Sequence, residues 1–141
     1  MWREPFLTSP WRKSLQARVE DQLENLQLVY RHIEGVPGDI VECGVWKGGS
    51  LSLLALLVKA EGNGRALWGF DAFGTAPDGG FSLLPGVPSL PMAPSRQEVI
   101  AAFKSRNWDM EDPKIHLVEG WFHETLPNAP LDSVALVHLD G

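Results

Sequence analysis

The chain has 141 residues, 44% of them hydrophobic, which suffices for one core of ordinary domain size. Its formal net charge is −6 and its one short basic cluster is "WRK" at residues 11–13, so nucleic acid and anionic membrane surfaces are poor partners. The single cysteine, Cys43, excludes an internal disulfide and fits a reducing cytoplasm. No stretch approaches the ~18 apolar residues of a membrane span, and the start "MWREPFLTSPWRK" lacks the apolar core of a signal peptide.

Taken in chain order, Leu15, Val19, Leu23, Leu26, Tyr30 and Ile33 recur at helical spacing with charges between them, predicting an amphipathic helix over 14–34. "GVPGD" breaks it at Gly35–Asp39. "IVEC" (40–43) reads as a short strand, and 49–61, containing "LSLLALLV", as a largely buried helix. "ALWGF" (66–70) is the second strand, ending on Asp71. Residues 72–94 hold five prolines and four glycines, so neither helix nor strand should persist there. Ser95 with Glu98 forms a capping-box signature ahead of "VIAAF". "KIHLVEG" (114–120) and "SVALVHLDG" (133–141) are the third and fourth strands, with "WFHETL" (121–126) a short helix between them. Strands alternating with helices predict a parallel sheet with right-handed crossovers. The fourth strand runs to the last residue, so the chain reads as part of a larger doubly wound domain.

In parallel α/β sheets ligands bind beyond the carboxyl ends of the strands. Four polar or special segments fall there: Glu42 to Ser50, Asp71, Glu119 to Phe122, and Asp140. Asp71, ending the second strand, suits the ribose hydroxyls of an adenosine ligand. A dinucleotide would need bare backbone at the second glycine of its fingerprint, counted from Gly44, and that position is Trp46. A phosphate-cradling loop would need Lys after Gly49, where Ser50 stands. S-adenosylmethionine has no phosphate. Its amino group suits Glu42, its carboxylate suits Ser50 and the helix N-terminus, and its sulfonium suits the face of Trp46.

The segments "PGDIVECGVWKGGS", "GFDAFGTAP", "VEGWFHETLP" and "VALVHLDG" together resemble the macrocin O-methyltransferase family, in family order and from about residue 37 to the end. The turn is also similar to that of catechol-type O-methyltransferases. The resemblance implies an α/β, Rossmann-like doubly wound parallel sheet of the class I methyltransferase type, present here as its N-terminal four strands. It divides the chain into an N-terminal helical segment, 1–36, and a partial S-adenosylmethionine-binding domain, 37–141. It implies that Glu42, Gly44, Trp46 and Ser50 hold the methionine part, that Asp71 takes the ribose, and that Gly120, Trp121 and Phe122 border the adenine. Asp140 in "HLDG" matches a catalytic aspartate that contributes to a divalent metal site, usually magnesium. The family continues "LDGDLY", with further acidic ligands after the position of Gly141. The implied reaction is metal-assisted methylation of a hydroxyl on a small-molecule acceptor, a sugar or polyketide-type natural product, with 72–94 as lid or acceptor loop.

Other readings of the same residues stand beside these. Glu42 can belong to a structural ion pair, and Asp71 can cap the following loop by an Asx turn. Cys43 reads as a small core residue, His138 as a core histidine or a general base, and His123 as a solvent-facing side chain. Asp140 can be a plain strand-end aspartate, and Trp68 and Trp108 packing residues. At the level of function the alternatives are a catalytically inactive cofactor-binding remnant and an NAD-dependent oxidoreductase. The acceptor and the oligomeric state, a homo-oligomer included, stay open in the sequence.

Overall fold

The computed structural model describes residues 10–74, 94–111 and 114–140. The backbone divides into two compact units at Glu34/Gly35. In the first, helix α1 spans Pro10–Arg31, longer at its start than the apolar periodicity predicts. Leu26, Tyr30 and Ile33, spaced i, i+4, i+7, are buried. The chain leaves α1 through a turn in which His32 N and Ile33 N donate to Val29 O and Tyr30 O, each at 3.0 Å.

The second unit runs β1 (Asp39–Cys43), α2 (Gly49–Glu61), β2 (Leu67–Asp71), α3 (Arg96–Ser105), β3 (Ile115–Glu119), α4 (Phe122–Thr125) with a 3₁₀ turn at Leu126–Asn128, and β4 (Val134–Leu139). All strand pairs are parallel, in the order β3-β2-β1-β4. The expected elements are all present, and their ends move by a residue or so. Of the proline-rich stretch, 75–93 lies outside the described residues, and with it the expected lid. The expected capping box is formed: Glu98 N donates to the Ser95 hydroxyl at 3.3 Å, and Ser95 N to Glu98 Oε2 at 2.7 Å.

Strand alternation sorts the core into two faces. On one, Ile40, Leu67, Ile115 and Leu117 lie under α2, whose Leu51 and Leu54 have no exposed surface. The contact is close: a side chain at Gly69 would come within 2.7 Å of Val45 and 3.1 Å of Leu51. On the other face Val41, Cys43 and Phe70 form a buried cluster, covered by Trp68, Val118, Ala129 and Leu131. Trp68 stacks on His116 with ring centroids 4.1 Å apart and donates its indole N–H to Asp39 Oδ2 at 2.9 Å. Trp108 packs edge-on against Phe103. Both tryptophans are packing residues. Each fully buried Leu, Ile or Phe contributes roughly 1.5–3 kcal/mol, so the sheet is anchored at β1 and β2.

β4 differs. Apolar on both faces, its sequence predicts cover on both sides. It sits instead at a sheet edge, and Val134, Val137 and Leu139 are exposed, Leu139 by 76%. The chain winds outward from β1 through β2 to β3, then returns past β1 to β4. That reversal places the crevice where open parallel sheets bind ligands between the carboxyl ends of β1 and β4.

Candidate cofactor site

The β1 ladder continues into the turn, with Gly44 N donating to Phe70 O and Asp140 N to Cys43 O, each at 2.8 Å. At Gly44 the backbone swings to φ +96°, a conformation that a side chain disfavours. Trp46 follows at φ +47°, an unusual setting for a bulky residue. Helix α2 then starts with no side chain capping its first N–H groups.

Asp71 braces this turn. Its Oδ2 accepts from Val45 N at 2.7 Å and Trp46 N at 2.8 Å. Its Oδ1 accepts from Phe73 N at 2.8 Å, the Asx geometry that its place after β2 allowed. Phe73 is itself at φ +47° and buried. Three of about four acceptor positions on the carboxylate are therefore engaged within the protein. Taking both hydroxyls of a ribose would require it to release one of these bonds.

A cavity of about 230 Å³ opens at the strand ends, lined by Gly44, Trp46, Asp71, Ala72, Gly120, Trp121, Phe122 and Asp140. Seven of the nine residues expected at the site thus meet there. Trp46, Trp121 and Phe122 are exposed aromatics around its mouth. The Lys47 ammonium stands 4.7 Å from the centre of the Trp46 ring, so one face of that indole already carries a cation.

Glu42 and Ser50 do not line the cavity; they are buried beneath the turn. Glu42 has no exposed surface, and its Oε1 lies 2.9 Å from His138 Nδ1. Burial raises its pKa above the usual value, against the lowering effects of the nearby Ser50 hydroxyl and of His138, and Asp140 raises it further. Oε2 has no hydrogen-bond partner of good geometry. Cys43 is buried in the core, and burial pushes its thiol pKa up, away from nucleophilic behaviour. The His123 side chain is 77% exposed. The sequence reading did not single out Phe73, Lys47 or Ala72. No residue pattern announces left-handed backbone at an aromatic residue, so the bonds from Val45 and Trp46 to Asp71 were not legible, whereas the Asx turn to Phe73 was.

Among the described residues, no group of three His, Cys, Asp or Glu side chains could hold a metal ion. Magnesium prefers six oxygens, and Asp140 with its described neighbours does not make such a site. A larger cavity, about 380 Å³, lies at the opposite end of the strands, by Asp39 and Arg65. Its charged groups serve the fold. Arg65 bonds Gly38 O and Glu61, and Asp39 holds Ala66 N and the Trp68 indole.

Comparison with known proteins gives this geometry a lineage. Residues 16–141 match the family model described as Macrocin-O-methyltransferase (TylF). The chain belongs to the macrocin O-methyltransferase family. Two similar family relatives are a demethyldecarbamoylnovobiocin O-methyltransferase of Streptomyces niveus, 35% identical over 85% of this chain and 49% of that protein, and an 8-demethyl-8-(2,3-dimethoxy-alpha-L-rhamnosyl)-tetracenomycin-C 4'-O-methyltransferase of Streptomyces olivaceus. The second is 33% identical, over 85% of this chain and 49% of its own length. The solved O-methyltransferase NovP shares the fold with a TM-score of 0.67 and 36% identity, across 84% of this chain and 52% of that one. The chain thus spans about half the length of the family relatives it matches. The parallel α/β sheet is the methyltransferase sheet expected from the sequence motifs.

Proposed function

We propose that this chain forms the cofactor-binding part of an S-adenosylmethionine-dependent O-methyltransferase acting on a hydroxyl of a sugar or other natural-product acceptor. Family membership supports the reaction class. The named substrates of the relatives, a novobiocin precursor and a rhamnosyl tetracenomycin, support the acceptor class. The observation that carries the cofactor is Trp46. Its indole stands at the cavity mouth where a dinucleotide would need bare backbone, which disfavours the oxidoreductase reading.

When bound, S-adenosylmethionine supplies an electrophilic methyl carbon, so that a C–O bond forms as the C–S bond breaks and the hydroxyl proton is lost. The residues here bind and align. Glu42 supplies negative charge to the amino group from beneath the turn, and the α2 N-terminus beside Ser50 serves the carboxylate. Gly44 lets backbone pass close to the ligand. Trp46 offers its indole to the sulfonium. Gly120, Trp121 and Phe122 border the adenine and exclude water, and the fourth acceptor position of Asp71 takes one ribose hydroxyl. Asp140 would join a magnesium site only with ligands from outside the described residues. The second reading is a chain that binds cofactor without turnover.

Isothermal titration with S-adenosylmethionine, S-adenosylhomocysteine and NAD tests the proposal. Heat with either of the first two and none with NAD is expected; binding of NAD alone would overturn it. Turnover against a panel of sugar and phenol acceptors, with and without magnesium, separates the two readings.

A further inference from the structure

We infer that Asp71 is the positioning residue of this site: its carboxylate clamps the β1–α2 turn to the end of β2, setting where Trp46 stands at the cavity mouth. The inference deepens the cofactor reading above and rests on it for the ligand. The two non-glycine residues with left-handed backbone nearest the cavity are Trp46 and Phe73, both at φ +47°. Each donates its N–H to Asp71, one to each carboxylate oxygen. Bulky residues adopt that backbone reluctantly, and it persists only where surrounding bonds over-determine it. Here one charged group supplies those bonds to both segments. Phe73 is buried at one end of the clamp, while Trp46 is 57% exposed at the other. The anchored side therefore fixes the side that faces the ligand. A ligand hydroxyl finds at most one acceptor position left on Asp71, so the turn carries part of its contribution to binding beside the ribose.

Two kinds of measurement test this. In the ligand-free chain, Asp71→Ala should speed amide hydrogen exchange at Val45, Trp46 and Phe73, with exchange at the core amides of Ile40 and Leu67 unchanged. Unaltered exchange at the three turn amides would overturn the clamp. With ligand, the variant should weaken S-adenosylhomocysteine by about tenfold or more, the scale of losing charged hydrogen bonds. It should also weaken an analogue lacking both ribose hydroxyls. Loss confined to the natural ligand would make Asp71 a ribose ligand and overturn the inference. Asp71→Asn keeps one acceptor oxygen and should fall between wild type and alanine in both assays; it carries the test if the alanine variant does not fold. Should the wild-type chain bind no S-adenosylhomocysteine, the cofactor reading fails for this chain, and the exchange measurement still decides the clamp.

Discussion

His138 Nδ1 lies 2.9 Å from Oε1 of Glu42, a carboxylate with no exposed surface whose other oxygen has no hydrogen-bond partner. A buried carboxylate held only by His138 and the nearby Ser50 hydroxyl costs stability, because desolvation is only partly offset. The proposed cofactor role of Glu42 accounts for such a cost at the end of a central strand. Glu42→Gln keeps the shape and an acceptor for His138 while removing the charge. The variant should match or exceed wild-type stability, by up to roughly 2 kcal/mol, in urea denaturation. It should bind S-adenosylmethionine more weakly by roughly 1–3 kcal/mol, the scale of losing a charged partner. Unchanged affinity would return Glu42 to the status of a structural ion pair.

Gly44 is the point at which the chain leaves β1 for the turn. At φ +96° an alanine is strained whatever space surrounds it. Gly44→Ala should cost about 1–2 kcal/mol in denaturant unfolding and displace the Val45–Trp46 amides from Asp71. Thermal and titration data on this variant should show both losses together. Full cofactor affinity in a destabilised protein would mean that the turn is not the ligand's platform.

Much of this was legible in the sequence, and the part that was not has a physical cause. Short apolar runs between turn signals predicted β1, β2, β3 and β4, the apolar run "LSLLALLV" predicted α2 and the capping box α3, and the core is built from them, as Ile40, Leu51 and Phe70 show. Strand-end chemistry brought Gly44, Trp46, Asp71, Gly120, Trp121, Phe122 and Asp140 together, since a parallel sheet puts those ends on one edge. What escaped was pairing at a distance. The Asx turn from Asp71 to Phe73 was among the readings, but that Asp71 would also accept from Val45 and Trp46, and that Glu42 would meet His138 across β1 and β4, depends on how the strands pair, which no local pattern encodes. The apolar character of both faces of β4 was legible in "VALV", and those faces are partly bare among the described residues.

The α3 capping box supplies a pH dependence. Hydrogen bonds from the Ser95 backbone and side chain hold the Glu98 carboxyl below its ordinary value of 4.5. A group whose pKa is depressed by folding stabilises the fold above its unfolded pKa, and that stabilisation is lost as pH falls through the folded one. Acid titration of helix stability should therefore show a Glu98 component that begins near pH 4.5 and deepens below it. Glu98→Gln should flatten that slope. Ser95→Ala should cost about 1 kcal/mol at neutral pH. An acid profile identical in wild type and Glu98→Gln would show that the box does not form in solution.

β4 carries the last prediction. Among the described residues it pairs with β1 alone, and Val137 and Leu139, on one face, are 51% and 76% exposed. An edge strand with free N–H and C=O groups and apolar side chains is a template for pairing with another chain. In a solution of this chain by itself, the available partner is a second copy. Sedimentation velocity should show association that grows with concentration. Leu139→Lys places a charge on the exposed face and should shift the population toward monomer. Because Leu139 is exposed, its replacement should change unfolding free energy by no more than about 0.5 kcal/mol. A wild-type chain that stays monomeric at high concentration would sink the prediction. A Leu139→Lys variant that loses more than that in stability would mean the side chain is packed in solution, against a surface that the described residues do not supply.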